Sequence, residues 1–158
     1  MKRTKYFISG ISVWLIQILI SDLFSIDTIR PDFIVILVLY WSMKEGSSVG
    51  VIGGFMMGIM VDLSGASSFF GLSSLIYSTT GYLGGYLQGA YSKFNPFYFT
   101  ISWIGIIFIH FLIFCTVFYQ DIWSVNPGLF WTKWIGTSIY TLTFLGIFQI
   151  IYPLHKLD

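Results

Sequence analysis

The chain has 158 residues, of which 56% are hydrophobic and only 9% are charged. Its eight basic and seven acidic side chains cannot cover the surface of a soluble domain, which usually has about 25% charged residues, and this argues against an extramembrane enzyme. The mean hydropathy of +0.80 excludes intrinsic disorder, and the net charge of +1 provides no basic surface for nucleic acid. The composition therefore indicates an integral membrane protein.

Stretches without charged residues predict six helices. A helix needs about 20 apolar residues to cross the hydrocarbon core of a membrane, and the last three stretches reach this length. The first helix follows Lys2, Arg3 and Lys5, and the lack of a small-residue cleavage site after it favours a retained anchor over a cleaved signal peptide. The predicted helices form a single membrane domain, 1–158, and cover residues 6–24, 31–44, 47–63, 69–88, 97–120 and 129–152.

The second helix is the shortest, because its apolar run extends only from Phe33 to Met43. If it spans the membrane, six basic residues lie inside and two outside, whereas the count is four on each side if it does not. Cytoplasmic loops carry an excess of basic residues, so we predict six spans with both termini in the cytoplasm. The helix then requires a thinned bilayer, shielding by its neighbours, or a start within the preceding loop. The basic residues assigned to the inside are Lys2, Arg3, Lys5, Lys44, Lys93 and Lys156, and those assigned to the outside are Arg30 and Lys133.

Two rows of glycines recur at four-residue spacing in the third and fourth helices. Lipid provides no hydrophobic drive for helix association, so small residues that let two backbones approach each other supply the contact. The rows predict that these two helices cross closely, although one row could equally face a partner subunit. The rows are Gly46, Gly50, Gly54 and Gly58 in the third helix, and Gly81, Gly85 and Gly89 in the fourth.

Few polar residues stand out in the predicted spans. Asp62 continues the first glycine row at the outer end of the third helix. It is interpreted either as an interfacial acid or a cap for the fourth helix, or as a partner contact or ion site. Gln17 is expected to form a hydrogen bond with another helix. A solvated outer loop with local ion pairs is predicted for the charged residues before the second helix, which are Asp22, Asp27, Arg30 and Asp32.

The sequence contains none of the short motifs that organise a metal, nucleotide or nucleophile site, such as HExxH, CxxC, GxSxG or a P-loop. His110 and Cys115 are five residues apart and lie on different faces of a helix. Acids in the middle of a span, which would indicate proton-coupled transport, are also lacking. We therefore predict no metal, no cofactor and no catalytic residues.

Residues 30–90 carry an ordered set of short motifs. Arg30-Pro31 begins the second helix, Tyr40-Trp41 ends its apolar run, and GFMMGIMVDL follows over residues 54–63. This order resembles the rod shape-determining protein MreD family, which has a GFxxGxxxDL sequence followed by further glycines. The residues that match the family motifs are Arg30, Pro31, Tyr40, Trp41, Gly54, Phe55, Gly58, Asp62, Gly65 and Gly71.

The resemblance implies a multi-pass protein of the bacterial cytoplasmic membrane that is a scaffold and not an enzyme. Such a protein supports lateral peptidoglycan synthesis and rod shape. The implied partners are MreC and membrane lipid, with RodA, MreB and a class B penicillin-binding transpeptidase in the same complex. The implied all-α fold resembles the S components of energy-coupling-factor transporters. Residues expected to pack helices together or to bind a partner are Gly50, Gly54, Gly58, Asp62, Gly81 and Gly85.

One alternative is a substrate-binding S-type subunit of a transporter for a small solute. Proteins of that class dock their transport partner through an Ala-xxx-Ala face on the first helix. The only alanines here are Ala66 and Ala90, and neither lies in the first helix, which favours the scaffold. An intramembrane enzyme is disfavoured because no catalytic set of residues is found.

The six-span topology predicts the side of the membrane on which a C-terminal fusion lies. A reporter joined after Asp158 is expected to be cytoplasmic, because an even number of spans returns the chain to the side of its N-terminus. Paired phosphatase and fluorescent-protein fusions measure this. An active external phosphatase at this position would contradict six spans.

Overall fold

The computed structural model describes residues 2–21, 23–26, 29–65, 69–93 and 95–154. These residues form an all-helical fold, as predicted. Asp22, Asp27 and Lys156, which entered the predicted outer loop and the charge count, lie outside the described residues. The helices in chain order are α1 (Lys2–Ile20), α2 (Phe33–Glu45), α3 (Ser47–Leu63), α4 (Leu72–Gly85), α5 (Pro96–Phe118), α6 (Gln120–Val125) and α7 (Pro127–Ile151).

The six predicted helices have counterparts in α1 to α5 and α7, whereas α6 is a six-residue helix in a connection that we predicted as a loop. Asn126 follows α6 and caps α7 by accepting a hydrogen bond from the backbone N–H of Leu129 at 3.2 Å. Among the described residues, α5 with 23 residues and α7 with 25 are long and apolar enough to cross a membrane. The helices α1 and α3 are apolar but shorter.

The short second helix is surrounded by protein. The side chains of Ile34, Val35, Val38 and Leu39 are completely buried, and α2 packs against α1, α3 and α4. The indole of Trp41, at the far end of α2, lies close to Gly10 of α1 and Gly53 of α3. The structure therefore encloses α2 among neighbouring helices, which is one of the three arrangements that a span with so short an apolar run would require.

The glycine rows of α3 and α4 face each other. Gly50 meets the backbone of Gly81, Gly54 meets Tyr77, and Gly58 meets Ser74. A Cβ atom added to any of these three glycines would lie less than 3.0 Å from backbone atoms of α4. At the other end of the pair, Gly85 contacts Ser47 in the same way. The predicted close crossing is therefore present in the structure, and Gly50, Gly54, Gly58, Gly81 and Gly85 are enclosed within it.

The first and last members of the rows have a different role. Gly46 separates α2 from α3 with φ of +90°, and Gly89 follows α4 with φ of +65°. Side-chain-bearing residues rarely adopt these left-handed values. We expected both glycines to continue the packing rows, but they form turns, because four-residue spacing alone does not show where a helix ends.

Alanine at the crossing is expected to destabilise the protein. Gly54→Ala or Gly58→Ala places a methyl group against rigid backbone, which typically costs about 1–3 kcal/mol, so the melting temperature of the purified protein in detergent should fall. Gly105→Ala is the matched control, because a Cβ at Gly105 meets no atom within 4 Å. Equal melting temperatures for all three variants would contradict this packing.

Candidate functional site

Asp32 lies at the start of α2 and connects three helices. Its Oδ1 accepts hydrogen bonds from the backbone N–H groups of Ile34 at 2.9 Å and Val35 at 3.0 Å, which makes it the N-cap of α2. Its Oδ2 accepts a hydrogen bond from the hydroxyl of Tyr77 on α4 at 2.5 Å, and its backbone N–H donates to Thr141 of α7 at 3.2 Å. The expectation that Asp32 belongs to a solvated loop was therefore wrong, since its side chain is only 15% exposed.

Gln17 holds the backbone on both sides of Asp32. Its Nε2 donates to the carbonyl oxygen of Pro31 at 3.1 Å, and its Oε1 accepts from the N–H of Phe33 at 2.8 Å. The second bond satisfies one of the N–H groups that the start of a helix leaves without an intrahelical partner, and the first holds the carbonyl group that precedes the N-cap. The predicted hydrogen bond of Gln17 to another helix is present, and it fixes α1 against the start of α2.

His110 of α5 completes this polar cluster. Its Nδ1 lies 2.7 Å from Oγ1 of Thr80, and its Nε2 lies 3.7 Å from Oδ2 of Asp32. The order Thr80–His110–Asp32 has the residue types of a nucleophilic triad, but Thr80 is only 2% exposed and donates its proton to the carbonyl of Ile76 at 3.0 Å. The Thr80 hydroxyl is therefore buried and bonded within its own helix, and it lacks the exposure of an activated nucleophile.

The cluster forms part of the wall of a cavity of about 1160 Å³. The C-terminal parts of α1, α3 and α5 surround this cavity, together with the segment before α2 and the first turns of α4. Asp32, Tyr77 and His110 line it, and Arg30, which is exposed, lies at its edge. A space of this size is comparable with the larger small-molecule sites of proteins.

Asp62 caps α4 from the end of α3. Its Oδ2 accepts a hydrogen bond from the N–H of Gly71 at 2.8 Å and its Oδ1 accepts one from the N–H of Ser73 at 3.3 Å. The hydroxyl of Ser74 lies 3.4 Å from Oδ2, and Asp62 is only 6% exposed. Of the two interpretations of Asp62, the geometry corresponds to the cap, and this carboxylate locks the glycine crossing at one end.

The other motif residues occupy different environments. Pro31 and Trp41 are buried, and the hydroxyl of Tyr40 donates to the carbonyl of Tyr152 after α7 at 2.5 Å. Gly65 and Gly71 have φ of +73° and +94° and form the connection between α3 and α4. Phe55, by contrast, is 52% exposed on the outer face of α3.

Sequence reasoning missed most of the polar cluster. Asp32 stands directly before an apolar run, which is the position of an N-cap, so its capping role was available from the sequence. The meeting of Tyr77, Thr80 and His110 was not, because these residues lie on two helices and share no local pattern. Of the predicted site residues, Arg30, Pro31 and Gly65 lie at this cavity, whereas Asp62 and the five glycines at the crossing lie in helix packing.

Comparison with known proteins gave one match. A family model described as rod shape-determining protein MreD matches residues 1–155. No curated protein and no solved structure matches the chain.

Removal of the Asp62 carboxylate should destabilise the protein. Asp62→Ala leaves the N–H groups of Gly71 and Ser73 without this acceptor, and an unsatisfied buried donor costs about 1–3 kcal/mol. The melting temperature in detergent should therefore fall. Asp121→Ala, at an exposed position in α6, is the control that should change it little. Identical melting of both variants would show that the cap does not contribute to stability.

Proposed function

The chain belongs to the rod shape-determining protein MreD family, and from this we propose that it is a non-enzymatic scaffold of the machinery that builds the lateral cell wall. The match over residues 1–155 carries this proposal, and the family role is the determination of rod shape. The polar cluster is consistent with it, because the only hydroxyl bonded to His110 among the described residues, that of Thr80, is buried away from the cavity.

The protein is a membrane protein of the bacterial cell envelope, as its family and its apolar helices indicate. We propose that it crosses the cytoplasmic membrane six times with both termini inside. Two features support this arrangement: the excess of basic residues on the assigned inner side, and the enclosure of the short α2 by its neighbours.

The proposed main partner is MreC, with MreB, RodA and a class B penicillin-binding transpeptidase as further members of the complex. The glycine rows are enclosed between α3 and α4, so the partner must use another surface. We propose the outer face of α3, which carries Ile52, Phe55 and Met56 with more than half of each side chain exposed.

Phe55 is the motif residue that favours this face. Gly54, Gly58 and Asp62 belong to the same motif, and each has a packing or capping role inside the protein. Phe55 is exposed in this structure. Large aromatic side chains often supply a major part of the binding energy at protein interfaces, so Phe55 is the residue in this motif that is best placed to contact a partner.

Phe55→Ala should reduce capture of MreC. We expect several-fold less MreC to co-purify with the variant, because the change removes an aromatic anchor of the proposed interface. The amount of the variant in the membrane should be unchanged, since the side chain contributes little to internal packing. Co-purification with a tagged chain, quantified against the wild type, measures this effect.

Phe97→Ala provides a matched control, because Phe97 is 65% exposed at the start of α5, away from α3. It should capture MreC as the wild type does. Undiminished capture by Phe55→Ala, or equal losses in both variants, would exclude the outer face of α3 as the specific docking surface.

A further inference from the structure

We infer that the cavity beside Asp32 binds a zwitterionic ligand, whose ammonium group contacts both Asp32 and His110 from the cavity. The site is separate from the proposed MreC surface, so each can fail without the other. The ligand is either a phospholipid with an ethanolamine head group or a free molecule with the same charges.

The first argument is the position of two atoms, Nε2 of His110 and Oδ2 of Asp32, on residues that line the same cavity. The hydroxyl of Thr80 donates to the carbonyl of Ile76, so Thr80 Oγ1 is left to accept the proton of His110 Nδ1. A neutral imidazole in this tautomer presents Nε2 as an acceptor. That atom lies 3.7 Å from Oδ2 of Asp32, which is too far for a direct hydrogen bond. A donor group that contacts both atoms would satisfy both.

The chemistry of the carboxylate specifies which donor fits best. Oδ1 of Asp32 is occupied by two backbone N–H groups and Oδ2 by the hydroxyl of Tyr77. One acceptor position of Oδ2 is left for a ligand, because a carboxylate oxygen accepts about two hydrogen bonds. A primary ammonium has three donors and a positive charge, and its hydrogen bonds to a carboxylate are stronger than those of a neutral donor.

The walls of the cavity suit the rest of such a ligand. Trp14, Phe111, Phe114 and Phe118 supply aromatic surface, which attracts cations through ring faces and also accommodates acyl chains. Arg30 lies at the edge of the same cavity. Arg30 and Asp32 therefore bring a positive and a negative charge to one cavity, and these are the charges that a phosphate and an ammonium would face.

The test is a titration of the purified full-length chain in detergent, followed by native mass spectrometry. The two lipids are dihexanoyl phosphatidylethanolamine and dihexanoyl phosphatidylglycerol, which share acyl chains and phosphate and differ in the ammonium group. The ethanolamine lipid is expected to bind at least tenfold more tightly. Phosphoethanolamine is the third probe. If phosphoethanolamine binds, the natural ligand is a free molecule. If the ethanolamine lipid binds and phosphoethanolamine does not, the natural ligand is a lipid of the bilayer.

Asp32→Asn removes the charge while it keeps the cap, because asparagine is as good an N-cap as aspartate. This variant should lose the tenfold preference, and His110→Gln should weaken it as a second, independent variant. Asp121→Asn is the control, because it neutralises an exposed carboxylate of α6 that does not line the cavity, and it should keep the preference. Circular dichroism and melting curves establish that each variant is folded.

Several results would overturn the proposal. One is that the two lipids bind equally and phosphoethanolamine does not bind. The ammonium group would then add nothing to the affinity, because His110 itself would supply the positive charge beside Asp32. Another is a preference that survives in Asp32→Asn. A loss of preference in Asp121→Asn equal to that in Asp32→Asn would also overturn it, because the effect would then not depend on a carboxylate at the cavity.

Discussion

The backbone contact between α3 and α4 is the interaction on which the rest of the structure depends. In lipid the apolar side chains gain nothing by leaving the solvent, so helices associate through close packing and through internal hydrogen bonds. Gly54 and Gly58 allow α3 to touch the backbone of α4, and Asp62 fixes the start of α4 at the same end. The position of α4 in turn determines where Tyr77 and Thr80 lie.

The polar cluster follows from that position. Tyr77 reaches Asp32 and Thr80 reaches His110 because α4 passes between α2 and α5. In the described part of the chain, the polar residues of this cluster form hydrogen bonds that connect helices. Asp32, Tyr77 and His110 also line a cavity, and Asp32 contributes a carboxylate to its wall. A scaffold that holds its helices with internal hydrogen bonds can therefore also hold a ligand, and the two properties share residues such as Asp32.

Much of the architecture was predictable from local sequence patterns. The glycine spacing predicted the crossing of α3 and α4, and the motif from Gly54 to Asp62 indicated the family that the match over residues 1–155 establishes. The environment of Asp32 was predicted wrongly, because a charged segment between apolar stretches looks like a solvated loop. Its neighbours Tyr77 and His110 are 45 and 78 residues away in the chain, and a periodic sequence pattern does not predict such distant contacts.

Cysteine crosslinking in native membranes tests the central claim most directly. Val51 and Ser78 lie next to each other across the crossing, where the hydroxyl of Ser78 is 3.4 Å from the carbonyl oxygen of Val51. In a Cys115→Ser background, the pair Val51→Cys and Ser78→Cys should form a disulfide on mild oxidation. The outward-facing pair Ile52→Cys and Leu75→Cys should not. No disulfide between positions 51 and 78, together with a crosslink from position 51 to another protein, would contradict the account, because the glycine row would then face a partner.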